Sequence, residues 1–236
     1  MSTARANRGP PQESSPLTIA ELTLAVAPER WRGLGFAVAR DECRVGSVSL
    51  RLVGAGAGAG KGLVAWSLRN SASAEFDGLP TDLIDDPARA ADRHANTALH
   101  VDHVVVVTPS LDRTAAALDD AGVRLRRQRQ VRTPGGPLRQ GFFRLGEVVL
   151  EVVEPAAGEP SSTASASEMP RLRPSDPAVF WGLVVVVEDL DACAEVLGDR
   201  LGTPRSAVQR GRRIATVRPN AQLGVPVAFI TPEPAR

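Results

Sequence analysis

Apolar and polar positions along the chain mark out three stretches that can fold. The middle one opens with LHVDHVVVVTP. Strict alternation there sets Leu99, Val101, His103, Val105 and Val107 on one face of a strand, and Val104 and Val106 on the other. Apolar side chains on both faces predict a strand covered on both sides. Pro109 ends it. Ser110 then stands as an N-cap, Leu111, Ala115 and Leu118 share one helical face, and Gly122 is the natural stop. Three strand-like runs follow, VRLRRQRQV, RQGFFRLG and EVVLEVVEP, and the Leu145-Gly146 turn makes the last two a hairpin.

The plan then returns. FWGLVVVVEDL reads as a strand ending at the cap Asp189, DACAEVLG as a helix stopped by Gly198, and AVQRGRRIATVRP and VPVAFITP as strands. Residues 99–155 and 178–232 are thus two copies of one strand–helix–strands unit. Aligning Leu111 with Leu190 sets Gly182 opposite His103, 79 positions on, and aligning Pro155 with Pro232 sets Ala228 opposite Glu151. A unit this short needs a neighbouring copy to bury its apolar face. The first stretch is a weaker copy, in which AELTLAVAP puts Glu21 opposite His103. A helical turn around Trp31 follows, and then RVGSVSLRLVG and GLVAWSLRN as strands joined by GAGAGAG.

Polar, proline-rich segments separate these stretches. Residues 1–16 lack large apolar side chains and are expected to form a disordered tail. The organisation read from the chain is a degenerate N-terminal module at 17–70, a connector at 71–97 and a two-module domain at 98–233. That domain's modules are 98–155 and 178–233, and the linker is 156–177.

Composition narrows the function classes. The chain is long enough, at 236 residues, to bury a core, and its 43% apolar and 23% charged content is ordinary for a globular protein. A net charge of +1 gives no global case for nucleic acid or an anionic membrane as partner. The arginine run at 124, 126, 127, 129 and 132, and that at 210, 212, 213 and 218, lack the interleaved aromatics of a nucleic-acid surface and read as solvated strand faces. Cys43 and Cys193 are isolated, which predicts reduced thiols and no cysteine zinc site. No secretory h-region and no span of 18 uncharged apolar residues is present, so the expected location is cytoplasmic. GAGAGAGKG fails as a phosphate loop, with Ala55 where a glycine is needed and Gly62 where Ser or Thr is needed.

The strand carrying His103, the Pro-Ser-Leu-Asp helix start and the strand ending LEVVEP resemble one βαβββ module of the vicinal oxygen chelate superfamily. That superfamily includes glyoxalase I, extradiol dioxygenases, and bleomycin and fosfomycin resistance proteins. WGLVVVVEDLDA resembles a second module, and the whole is similar to glyoxalase-like proteins of high-GC bacteria. The resemblance covers 98–233 well and 17–70 more loosely. It implies an α+β fold whose paired βαβββ modules curl into an open barrel around a ligand cleft, with an additional degenerate N-terminal module. It also implies pairing into a homodimer, as members often do, and a cleft metal held by one His or Glu from the first strand and one Glu from the last strand of each module. His103 and Glu151 match those positions in the first copy. Gly182 and Ala228 occupy them in the second and offer no side-chain ligand.

An imidazole and a carboxylate suit Fe, Mn, Ni or Zn, yet two ligands are fewer than structural or catalytic zinc takes. A third would have to come from Glu21, another chain or the substrate. The expectation is therefore a cleft without a resident cofactor, binding a small organic molecule, where His103 and Glu151 either hydrogen-bond to each other or to the ligand as polar cleft residues or work as acid and base. A metal-dependent lyase, isomerase or dioxygenase using the same pair is one alternative, and a sequestering protein of the resistance type is another. In the sharper form the ligand is anionic and is met by Arg139 and Arg212, with Gln140 and Gln209 beside them. Trp181 and Trp66 are expected near the cleft as packing or stacking groups, and His94 and His100 at the surface. Neither the substrate nor its turnover is legible.

Overall fold

The computed structural model describes residues 15–54, 61–87, 89–133, 136–155 and 169–234. Most of the expected tail, the glycine-rich joint at 55–60 and the linker over 156–168 lie outside the described residues. The chain runs β1 (Thr18–Ala25), α1 (Pro28–Arg32), β2 (Glu42–Val45), β3 (Val48–Leu52), β4 (Gly62–Arg69) and β5 (Thr81–Leu83). It continues with β6 (Ala98–Val107), α2 (Leu111–Asp120), β7 (Leu125–Thr133), β8 (Gly136–Leu145) and β9 (Val148–Pro155). The last stretch is β10 (Val179–Val187), α3 (Leu190–Leu197), β11 (Arg205–Ser206), β12 (Arg213–Thr216) and β13 (Val227–Ile230).

These strands make two sheets. The larger has eight strands in the order β11-β12-β13-β10-β6-β9-β8-β7. Its centre is the antiparallel pair β6 and β10, each flanked by the parallel last strand of its own module. The two copies are therefore related by a pseudo-twofold axis between β6 and β10, and Val104 pairs with Leu183 beside it. Ser110 and Asp189 cap α2 and α3 through side-chain oxygens that accept from backbone N–H groups in the first turn. The β8–β9 hairpin turns at Gly146 and Glu147, with Gly146 at φ +65° where a Cβ would be strained.

The smaller sheet has the order β2-β3-β1-β4-β5. The predicted strand RVGSVSLRLVG is a hairpin, β2 and β3, and the 71–97 connector contributes β5 together with the buried side chains of Phe76, Leu79 and Asn96. Here β1 and β4 are the antiparallel central pair, flanked by parallel β3 and β5. The pairing repeats that of β9-β6-β10-β13 in shortened form.

One continuous core joins both sheets. It takes Val104, Val106, Leu183 and Val185 from one face of the larger sheet, together with Leu22, Leu50 and Trp66 from the smaller. Trp66 meets Phe180 edge-on at 5.3 Å, and Phe36 stacks with Phe229 at 5.9 Å. Trp66 also donates through Nε1 to Thr81 Oγ1, so it is a core residue and not a cleft wall. The opposite face of the larger sheet is left to form the site.

Candidate functional site

Strand β6 does not alternate strictly. Val184 pairs with His103 and Val185 with Val101, so Asp102 is the extra residue of a β-bulge. The bulge lets two consecutive side chains, Asp102 and His103, serve the same cleft, while Val101 goes to the core. The partner copy has the same device: between Phe180 and Gly182 the extra residue is Trp181, 79 positions after Asp102. Trp181 packs with Val105, Leu138 and Val153.

The cleft measures about 590 Å³. A chain of polar contacts crosses its floor. Arg212 Nη2 donates to Asp102 Oδ1 at 2.6 Å, and Arg212 Nε donates to Thr231 O at 2.7 Å. Asp102 Oδ2 lies 2.7 Å from His103 Nδ1. His103 Nε2 stands 3.7 Å from Glu151 Oε2, within ion-pair range but too long for a hydrogen bond. Gln140 Nε2 donates to Glu151 Oε1, and its own Oε1 accepts from Arg129 Nε at 2.6 Å. The Arg129 guanidinium lies 5.1 Å from the centre of the Phe142 ring.

Register explains why these residues meet. Glu151 sits between Val105 of β6 and Phe142 of β8, and Gln140 faces Arg129 of β7. The two carboxyl groups are shifted in opposite directions. Burial acts to raise the Asp102 carboxyl, but His103 and Arg212 outweigh it and hold it at about 2. Glu151 is pushed above the ordinary range, chiefly by burial, with Asp102 adding to the rise and His103 and Arg129 opposing it. A carboxylate fixed as an anion, an imidazole it orients and a carboxyl inclined to hold a proton form a set able to move protons.

The other sequence-predicted residues divide. Arg212 and Gln209 line the cleft and Gln140 supports Glu151. Arg139 does not line it: neighbours along a strand point to opposite faces, so with Gln140 inward Arg139 turns to the helix side and pairs with Asp112 and Glu154. Glu21 pairs with Arg51 in a separate cavity of about 130 Å³ on the smaller sheet, so it adds no ligand to His103. His100 is half-buried in the cleft lining. His94 is buried, accepting from Ala37 N–H at Nδ1 and contacting Arg44 O through Nε2. Neither is the surface residue that the sequence suggested. The sequence did not single out Asp102 or Arg144, and it suggested a solvated strand face for Arg127 and Arg129, which line the cleft. The one available signal for Asp102 was its register with Trp181 in the other copy.

Solved structures share this architecture. A variant of 4-hydroxymandelate synthase from Streptomyces coelicolor aligns over 94% of this chain and 94% of its own, with TM-score 0.63 and 15% identity. The chain has the vicinal oxygen chelate fold. Methylmalonyl-CoA epimerase from Mycobacterium tuberculosis, another protein of this fold, aligns over 58% of the chain and 91% of its own, with TM-score 0.42 and 20% identity. No protein-family description and no curated protein matches the chain in sequence.

The metal associated with the vicinal oxygen chelate fold does not fit the described residues. His103 and Glu151 are the two donors of one copy. Asp102 is committed to His103 and Arg212, and the buried Arg212 guanidinium brings a positive charge to the same floor. At Gly182 a Cβ would lie 2.7 Å from Pro226 O, so this backbone has no room for the side chain a ligand needs. Ala228 lies in an apolar patch with Val184, Val186 and Ile230. Among the described residues no group of three or more His, Cys, Asp and Glu side chains is placed to hold a metal.

Proposed function

We propose that the protein binds a small organic molecule in this cleft and moves a proton on it with His103 and Glu151, without a metal. The reading is carried by the chain Arg212–Asp102–His103–Glu151–Gln140, which orients an imidazole and a carboxyl toward a cleft of ligand size. Asp102 at His103 Nδ1 leaves Nε2 for the Glu151 side, and burial raises the Glu151 carboxyl above its ordinary range, which favours its proton-bearing form. A site that only sequesters its ligand has no need of an imidazole oriented between two carboxyl groups shifted in opposite directions.

The test is a screen of small carboxylic acids, ketoacids and phosphate esters, read by ligand NMR in deuterated water. Binding together with enzyme-dependent exchange of a ligand C–H for deuterium is expected. Glu151→Gln should keep affinity within about threefold and lose exchange by about 100-fold or more. Binding without exchange in any member returns the protein to the sequestering class. One equivalent of co-purified Mn, Fe, Ni or Zn, whose removal abolishes exchange, would replace this reading with a metal-dependent one.

A further inference from the structure

We infer that Arg127, Arg129 and Arg144 form an oxyanion-binding wall of the cleft. The ligand is then an organic molecule whose carboxylate or phosphate docks there, with its body over Phe142 toward Glu151 and His103. The inference deepens the proposed function by naming the ligand class, and it rests on that reading.

Register places the three arginines together. Arg127 is opposite Phe142 and Arg129 opposite Gln140, while Arg144 is opposite Val149, next along β8 on the same face as Phe142. All three line the cleft. Arg139 of β8 is bound by Asp112 and Glu154, Arg213 of β12 by Asp191, and Arg113 of α2 by Asp77. By contrast, Arg127 and Arg144 make no ion pair or side-chain hydrogen bond with any described residue, and Arg129 spends only its Nε, on Gln140. Gln140 and the Phe142 ring hold the Arg129 guanidinium in place and leave its two Nη groups to donate.

Among the described residues no carboxylate of the cleft forms an ion pair with these three arginines. Asp102 is bound to Arg212, Glu147 accepts from the Ser47 N–H and hydroxyl, Glu151 accepts from Gln140, and Glu233 is exposed beside Pro232. Three guanidinium groups on one concave surface raise the local potential and present forked donors that match a carboxylate or phosphate. Adjacent strands are about 4.8 Å apart, so the row Glu151–Phe142–Arg127 spans roughly 10 Å. The oxyanion therefore sits one small ring or a short chain away from the atom that exchanges its proton.

The probes are benzoate and phenyl phosphate, with methyl benzoate as the neutral control and inorganic phosphate as the anion without a body. The readout is the His103 imidazole resonance of the full chain, assignable because only three histidines are present. Benzoate or phenyl phosphate should shift it at concentrations at least tenfold lower than methyl benzoate. R127Q/R144Q should weaken that binding tenfold or more, while R132Q, on the other face of β7, should leave it unchanged; thermal unfolding checks that the variants fold. Equal binding of the ester and the acids, or wild-type binding by R127Q/R144Q, overturns the inference. If methyl benzoate alone shifts His103, the wall falls and the acid–base reading stands. If none of the four probes does so up to about 20 mM, the wall falls, and the library exchange screen decides the rest.

Discussion

At Asp102 one oxygen accepts from Arg212 and the other meets His103, so a single carboxylate holds a buried cation and an imidazole together. Its carboxyl, held at about 2, is depressed below the unfolded value near 3.9. Such a group contributes stability above the unfolded pKa that is lost as pH falls through the folded one, an effect on the order of 2 kcal/mol. Asp102→Asn removes the anion and strands Arg212, which should cost about 2–4 kcal/mol by denaturant unfolding. It should also shift the pH profile of any exchange activity, whereas a residue that only packs would change stability alone. Glu151 has the opposite sign. Its carboxyl is raised by burial, so the wild type loses stability as pH rises through the carboxyl range. Glu151→Gln should therefore raise Tm at pH 8 by a few degrees while removing proton transfer. A Tm that falls would show the charge to be better solvated than its burial implies.

At the scale of elements, the sequence made most of the two modules visible. Period-two alternation, the caps Ser110 and Asp189 and the stop Gly122 placed β6, α2, β10 and α3 close to where they lie. Those are local signals. The bulges at Asp102 and Trp181 were not legible, because reading a strand by alternation assumes that none exists. That assumption hid Asp102, whose neighbour His103 was found. Arg139 was placed inward because strand parity was not enforced against Gln140 beside it. His94 looked like a surface residue because its partners, Ala37 and Arg44, are distant in sequence. The copy-to-copy alignment did find Gly182, and the structure adds the reason for its lost side chain. Gly182→Ala should cost about 1–3 kcal/mol through its approach to Pro226 O. G182H/A228E should accordingly bind no metal by equilibrium dialysis; a stable, metal-loaded double variant would show that the strand can yield.

Across the whole molecule, the two sheets are tied by polar as well as apolar contacts. Glu147, in the β8–β9 turn, accepts from Ser47 in the β2–β3 turn. His94 bridges Ala37 and Arg44 within the N-terminal half, and burial holds its pKa down, against the backbone contact with Arg44 and the charge of Asp92. A histidine depressed in the folded state contributes stability above its unfolded pKa, near 6.5, and loses it as pH falls through the lower folded value. The drop in wild-type stability between pH 7.5 and 5 should therefore shrink in His94→Gln. An unchanged drop would place the acid sensitivity elsewhere.

The pseudo-twofold between β6 and β10 has a stereochemical consequence. A cleft with the same groups in both halves would accept a ligand in two orientations related by that axis. Here one half of the lining carries His103, Glu151, Arg127 and Arg129, and the other carries Val186, Val208, Gln209, Arg212, Pro232 and Glu233. An amphipathic ligand then has one way to lie, and one of its prochiral faces is turned toward the proton-bearing groups. Deuterium taken up from solvent would enter with a single handedness, and a racemic substrate would be consumed from one enantiomer first.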